Sequence, residues 1–312
     1  MLIGGVTVSL WGLGLLGVVV GLVAGMFGVG GGFLLTPLLT VVFGIPLPIA
    51  IGTGLCQMVG TATATILRHR RLKQGELRFD ILMIAGAIVG AAAGAELVSY
   101  LETLGSTPLF GGTIATSTLV LYGAYVLLLA ACSWLFWRQA GQQIEGLTTV
   151  RPGPLARLQL GPLVDLPNVP LRAVSAIGIA YIGMGLGFLS GLLGIGGGVA
   201  LMPVLIYGFG FPIRQAAGTG ILALLVTVAA GTITHAVNDN VHLPMACVLL
   251  VGSTLSAQVG ATLTRKLPAR VLRRAFALLL WVTIAAIAWD VAQILSQPSS
   301  PHKPDQVGRL AL

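Results

Sequence analysis

The polar positions of this chain are gathered into a few short stretches, and nearly everything between them is apolar. The first Asp, Glu, Lys or Arg is Arg68, and further uncharged runs cover 103–137 and 173–213. A membrane-spanning helix needs about 20 apolar residues. Runs of that size lie at roughly 6–27, 47–67, 80–101, 113–137, 173–193, 214–236, 243–264 and 272–295. Two shorter runs, Phe33–Phe43 and Val199–Phe209, reach only about 17 Å as helices, little more than half of a hydrocarbon core. Each follows a glycine cluster and ends before Gly-x-Pro (Gly44-Ile45-Pro46 and Gly210-Phe211-Pro212), so each reads as a short or half helix. The expected fold is an all-α polytopic membrane protein.

Composition agrees. Of 312 residues, 56% are hydrophobic and 8% charged, against about 25% charged in soluble domains. That excludes an ordinary soluble enzyme, a disordered chain and a secreted disulfide scaffold. The net charge of +8 does not point to nucleic acid, because fourteen of the 17 basic residues fall in 68–78, 138–172 and 265–274, between apolar runs. That is the positive-inside pattern of cytoplasmic loops, and no nucleic-acid partner is expected. Cys56, Cys132 and Cys247 lie in apolar runs without CxxC spacing and read as buried thiols. The N-terminus lacks a basic n-region, so residues 1–27 read as mature sequence. Pro152, Pro154, Pro162, Pro167 and Pro170 mark 138–171 as a cytoplasmic linker. It separates a membrane repeat over 1–137 from a second over 172–295, and 296–312 reads as a disordered tail.

The halves are copies. At an offset of 166, the run from Gly21 through Gly25, Gly28 and Gly30-Gly31-Gly32 lies over Gly187, Gly191, Gly194 and Gly196-Gly197-Gly198. Pro37 meets Pro203, Gly44 meets Gly210, and Gly52-Thr53-Gly54 meets Gly218-Thr219-Gly220; sixteen of the 34 pairs from 21 to 54 are identical. Charge sets the relative orientation. The loop from Arg68 to Lys73 is basic while its partner 235–242 has no Lys or Arg. One helix later the bias reverses, with Glu102 in 102–112 facing Arg265, Lys266, Arg270, Arg273 and Arg274 in the partner. Equivalent loops then lie on opposite sides of the membrane: two inverted-topology repeats of about five hydrophobic segments each. Arg214 falls inside, in agreement; Lys303 and Arg309 fall outside. Whether the short segments cross or re-enter, giving ten or eight crossings, stays open.

Inverted repeats with interrupted helices are the signature of secondary transporters with a midplane site. Glycine permits the backbone angles of a break and leaves the amides uncovered, and the helices that follow would point positive ends at a cavity. Gly30, Gly31, Gly32, Gly196, Gly197 and Gly198 are therefore the expected anion site. The opposing C-terminal helix ends could hold a cation instead. The spaced glycines 17, 21 and 25, their mates 183, 187 and 191, and 86, 90 and 94 read as faces for close helix packing. Thr53 and Thr219 could donate to a substrate oxygen or bond back to the helix. Gln57, whose mate is Ala223, could confer selectivity or join two helices. His69 and His235 read as solvated loop histidines, with gating as the alternative. Glu96 and Asp290 are the carboxylates within apolar runs, both near helix ends, so no central acid serves as a proton relay. Arg68 and Arg214 could attract anions or lipid phosphate. No P-loop, HExxH or Rossmann setting occurs, so neither an enzyme nor a nucleotide-driven pump is expected, and no cofactor or metal.

The doubled pattern G-x2-hydrophobic-Gly-x-Gly-Gly-Gly-x4-Pro, followed by Gly-x-Pro and Gly-Thr-Gly, resembles the TauE/SafE family of sulfite exporter-like permeases over about 12–104 and 178–275. The family commonly has Ser after Gly-Thr, where both copies here have glycine, Gly54 and Gly220. The resemblance implies transport of small sulfur-containing anions (sulfite, sulfoacetate or related organosulfonates) across the bacterial cytoplasmic membrane. A passive anion channel of the same fold and a non-transporting membrane assembly or receptor subunit are the alternatives. The implied partners are a small anionic substrate and membrane lipid; the reading admits a homodimer.

Overall fold

The computed structural model describes residues 2–3, 6–27, 31–70, 76–109, 112–140, 153–157, 161–166, 171–211, 219–264 and 269–296. The helices are α1 (Leu10–Phe27), α2 (Gly32–Phe43), α3 (Leu47–Arg70), α4 (Leu77–Thr103) and α5 (Thr116–Ala140) in the first half. The second half has α6 (Ala176–Leu193), α7 (Gly198–Pro203), a π-helical turn (Val204–Phe209), α8 (Ile221–Val237), α9 (Leu243–Thr264) and α10 (Ala269–Ser296). Among the described residues, five stretches are long and apolar enough to cross a membrane: α4, Thr116–Leu135, α6, Leu243–Gly260 and Arg274–Gln293. The chain is an all-α multi-pass membrane protein. Its outer surface carries the side chains such a solvent demands: Leu243, Val251, Leu255 and Val259 form an exposed apolar stripe on α9, which in water would be a large unpaired patch. Cys247 shares that stripe and is exposed, not buried as expected, while Cys132 is buried and Cys56 half-buried.

Small antiparallel hairpins decorate the helices: β1 (Leu2–Ile3) with β2 (Val6–Thr7), β3 (Ser106–Leu109) with β4 (Gly112–Ala115), and β5 (Leu163–Leu166) with β6 (Leu171–Ser175). They shorten three of the expected segments. The helices within 6–27, 113–137 and 173–193 begin at Leu10, Thr116 and Ala176. Hydropathy does not distinguish a strand from a helix, whereas caps do: the Ser175 hydroxyl accepts the Gly178 N–H at 2.9 Å and starts α6. The linker is not featureless either. Leu155 N–H donates to the Gly208 carbonyl at 2.9 Å, and Arg78 donates to the Asp165 carbonyl at 3.4 Å, which ties β5 to α4.

The closest helix pairs run between halves. A Cβ on Gly86, Gly90 or Gly94 of α4 would run into the carbonyl of Ala180, Met184 or Phe188 on α6. On the other pair, Gly17, Gly21 and Gly25 of α1 meet the backbone of Leu249, Ser253 and Ala257 on α9. The reciprocal contacts of α6 on α4 are Gly183, Gly187 and Gly191 against Met83, Ala87 and Ala91. Shifting these by 166 positions turns one set into the other: Gly183 with Met83 becomes Gly17 with Leu249. The first helix of each half thus packs on the fourth of the other, backbone against backbone, as small-residue faces allow.

The short helices match in the same way. Helix α2 spans Gly32–Phe43, and α7 with its π turn spans Gly198–Phe209, the same residues shifted by 166. Each contains a proline, Pro37 or Pro203, which removes a backbone donor. Helix α2 continues through it, whereas the second copy widens to π geometry directly after Pro203. Phe209 and Phe211 close that end with edge-on contacts to Phe79 of α4, at ring distances of 5.1 and 5.2 Å.

Candidate functional site

Both glycine clusters make the turn their sequence suggests. Gly31 and Gly197, one residue before α2 and α7, have φ of 75° and 73°. Glycine takes that left-handed conformation most readily because it has no Cβ, and neither helix has a side-chain cap. The turns also meet in space. A Cβ on Gly32 would touch the Met58 sulfur and lie 2.7 Å from the Gly194 carbonyl oxygen and 3.0 Å from that of Ile195. On the other side, Gly196 packs against the Met58 methyl group. Met58 is fully buried between the turns, a soft and flexible side chain filling the space where they converge. Gly198 is buried at the start of α7; Gly30 lies outside the described residues.

A cavity of about 10 Å³ opens beside this junction, lined by Met83, Ala87, Leu186, Gly196, Gly197 and Thr227. That is room for about one water.

Thr53 and Thr219, symmetry mates in sequence, have matched partners. The Thr53 hydroxyl accepts the N–H of His242, just before α9, at 3.0 Å. The Thr219 hydroxyl accepts the N–H of Glu76, just before α4, at 3.1 Å. Glu76 and His242 are themselves 166 apart. Each threonine is buried and satisfies an amide at the start of a helix in the other half.

The remaining expected residues divide. Gln57 Nε2 donates to Ser253 Oγ at 2.5 Å, which joins α3 to α9, and its Oε1 has no partner among the described residues. His235 is not a solvated loop residue. It belongs to the last turn of α8, fully buried, with Nε2 2.8 Å from the Gly191 carbonyl and Nδ1 unpartnered among the described residues. The polar run after it suggests a loop, but α8 continues to Val237 and packs this turn on α6. His69 is in the last turn of α3, and its side chain lies outside the described residues. Asp290 accepts the Tyr122 hydroxyl proton at 2.8 Å.

Sequence reasoning missed two acids. Asp80 is 5% exposed and Glu76 1% exposed. An Asp80 carboxylate oxygen accepts the N–H of Gly220 at 2.5 Å, beside the Thr219 contact. The signal was available in the spacing: Asp80 precedes Met83 and Ala87 by one and two helical turns, on the face that packs against α6.

A profile of the family described as sulfite exporter TauE/SafE matches residues 13–287. The chain belongs to the TauE/SafE family. Its members are transporters, not enzymes. Among curated relatives, the probable membrane transporter protein YjnA of Bacillus subtilis is 31% identical over 77% of this chain and 84% of that protein. YunE of the same organism, another probable membrane transporter protein, is 25% identical over 76% and 82%. The probable membrane transporter protein MJ0441 of Methanocaldococcus jannaschii is 23% identical over 78% and 82%. TauE/SafE relatives thus occur in both bacteria and archaea. No solved structure matches the chain.

Proposed function

We propose that this TauE/SafE protein is a secondary transporter of small sulfur-containing anions (sulfite, sulfoacetate or a related organosulfonate) in the cytoplasmic membrane. The halves act as inverted repeats that rock around a midplane site at the glycine turns. The observation that carries this reading is the convergence of Gly32 with Gly194 and Ile195 over Met58. It brings the two glycine turns together; the carbonyl oxygens of Gly194 and Ile195 face Gly32 there, while the amides and dipoles of the helices that start after the turns favour an anion. The family's description as sulfite exporters supports the substrate class.

Inversion is supported by the exchanged contacts of α1 with α9 and α4 with α6, and by the opposite charge bias of matched loops. On that topology the Thr53–His242 contact lies at the outer end and the Thr219–Glu76 contact at the cytoplasmic end. Gly31, Gly32, Gly196, Gly197 and Gly198 line the site, with Thr53 and Thr219 at its two approaches. Gln57 is glue: its donor is engaged by Ser253. His235 stands at the outer end as a gating candidate.

Ligand-dependent stabilisation of the purified protein tests the site. At about 100 times its dissociation constant, a ligand adds about 2.7 kcal/mol to the native state. Sulfite or sulfoacetate should raise the melting temperature where sulfate, acetate and chloride at equal ionic strength do not. Gly197→Asn is the informative variant. Asparagine tolerates positive φ, and a Cβ there meets nothing nearer than the Leu186 carbonyl at 3.6 Å. The variant should fold and lose the shift; a retained shift removes the Gly197 turn from the site.

A further inference from the structure

We infer that Thr53 and Thr219 act as the clasps of two gates, and that Asp80 makes the cytoplasmic gate the tighter of the two. The inference rests on the alternating-access reading above and deepens it. Each hydroxyl holds an amide at the start of the fourth helix of the opposite half, Thr53 to His242 at 3.0 Å and Thr219 to Glu76 at 3.1 Å. These bonds therefore cross from one rocking body to the other. The backbones are pressed together at the outer clasp: a Cβ on Gly52 would run into the Asn240 carbonyl. No rotation that opens one end can keep that end's clasp. The clasps explain why Gly-Thr-Gly recurs in both halves: the hydroxyl serves the clasp, and Gly52 lets the neighbouring chain approach.

The two ends are unequal. At the cytoplasmic end Asp80 adds a second bond, accepted from the Gly220 N–H. The residue 166 positions on is Ala246, which has no acceptor to offer the N–H of Gly54. Of the bonds between Thr53, Thr219, Asp80 and the opposing amides, two lie at the cytoplasmic clasp and one at the outer. The outer gate is thus the easier to open, and the unliganded protein favours openings toward the outside.

Hydrogen exchange at single-amide resolution, on the protein in lipid nanodiscs without substrate, reads both clasps directly. In the wild type the His242 amide should exchange faster than the Glu76 amide. Thr53→Val should speed His242 by about tenfold, the scale of one lost hydrogen bond, and leave Glu76 unchanged or slower. Thr219→Val should do the reverse, and Asp80→Ala should bring Glu76 up toward the His242 rate. Thr53→Ser and Thr219→Ser keep the hydroxyl and should restore wild-type rates. Both amides moving together in each variant, or neither moving, overturns the inference, because loss of general stability has no side. The measurement needs no ligand, so the clasps can fail while sulfite is still transported. If the clasps respond as expected but reconstituted protein moves no sulfur oxyanion, the transport reading fails and the gates fail with it.

Discussion

The Tyr125 hydroxyl donates to the Phe33 carbonyl at 3.2 Å, the carbonyl that Pro37, four residues on, cannot serve. A helix interior proline leaves one carbonyl without its donor, and membrane depth supplies no water to replace it. Tyr125 reaches across from α5 to do so, with the Gly32 carbonyl as a longer partner at 3.4 Å. This bond holds the start of α2, and with it the Gly31 turn, in place.

Tyr125→Phe should therefore destabilise the protein by about 1–3 kcal/mol, the range for a buried group left unpaired. Pro37→Ala restores an N–H, so the same tyrosine change in that background should cost clearly less. Denaturation of the four proteins of this cycle measures the coupling, and additive effects would mean that Tyr125 acts elsewhere.

The helix contacts predict a contrast between two glycines. Gly90→Val puts a side chain into the Met184 carbonyl and should cost about 1–3 kcal/mol or more as overpacking. Gly185, one residue along from that carbonyl on α6, has open space around its Cβ position. Gly185→Ala should be neutral or stabilising by up to about 1 kcal/mol. Thermal melts of both variants in one detergent make the comparison.

Gln57 joins helices, so Gln57→Leu should lower the melting temperature through the loss of its bond to Ser253. The sulfite concentration that gives half of the ligand-induced shift should stay where it is. A weaker affinity without loss of stability would return Gln57 to the substrate site.

His235 can donate Nε2–H to the Gly191 carbonyl, and its Nδ1 is buried with no partner among the described residues. If the outer gate uses this ring, His235→Ala should alter the pH dependence of anion flux. A superimposable pH profile would remove it from the mechanism.

Much of this molecule is legible in its letters because glycine and proline record backbone geometry. The positive-φ turns at Gly31 and Gly197, the matched short helices and the small-residue faces all follow from residues that few alternatives could replace. Long-range partners leave no such trace. Thr53 and Thr219 can be paired with each other by offset, but not with His242 and Glu76, which are 189 and 143 positions away. Asp80 was obscured by the basic loop beside it, although its helical spacing aimed it at the packed face. Residues 113–115 of β4 read as helix because apolar content says nothing about which backbone bonds form.

The central claim is tested most directly by exchange of labelled sulfite, with sulfoacetate in parallel, across proteoliposomes containing the purified protein. External sulfite should trade against internal sulfite in a saturable way, excess chloride should not compete, and Gly197→Asn should abolish the exchange. Flux that rises linearly with concentration, or none above protein-free vesicles for any sulfur oxyanion, would contradict the account.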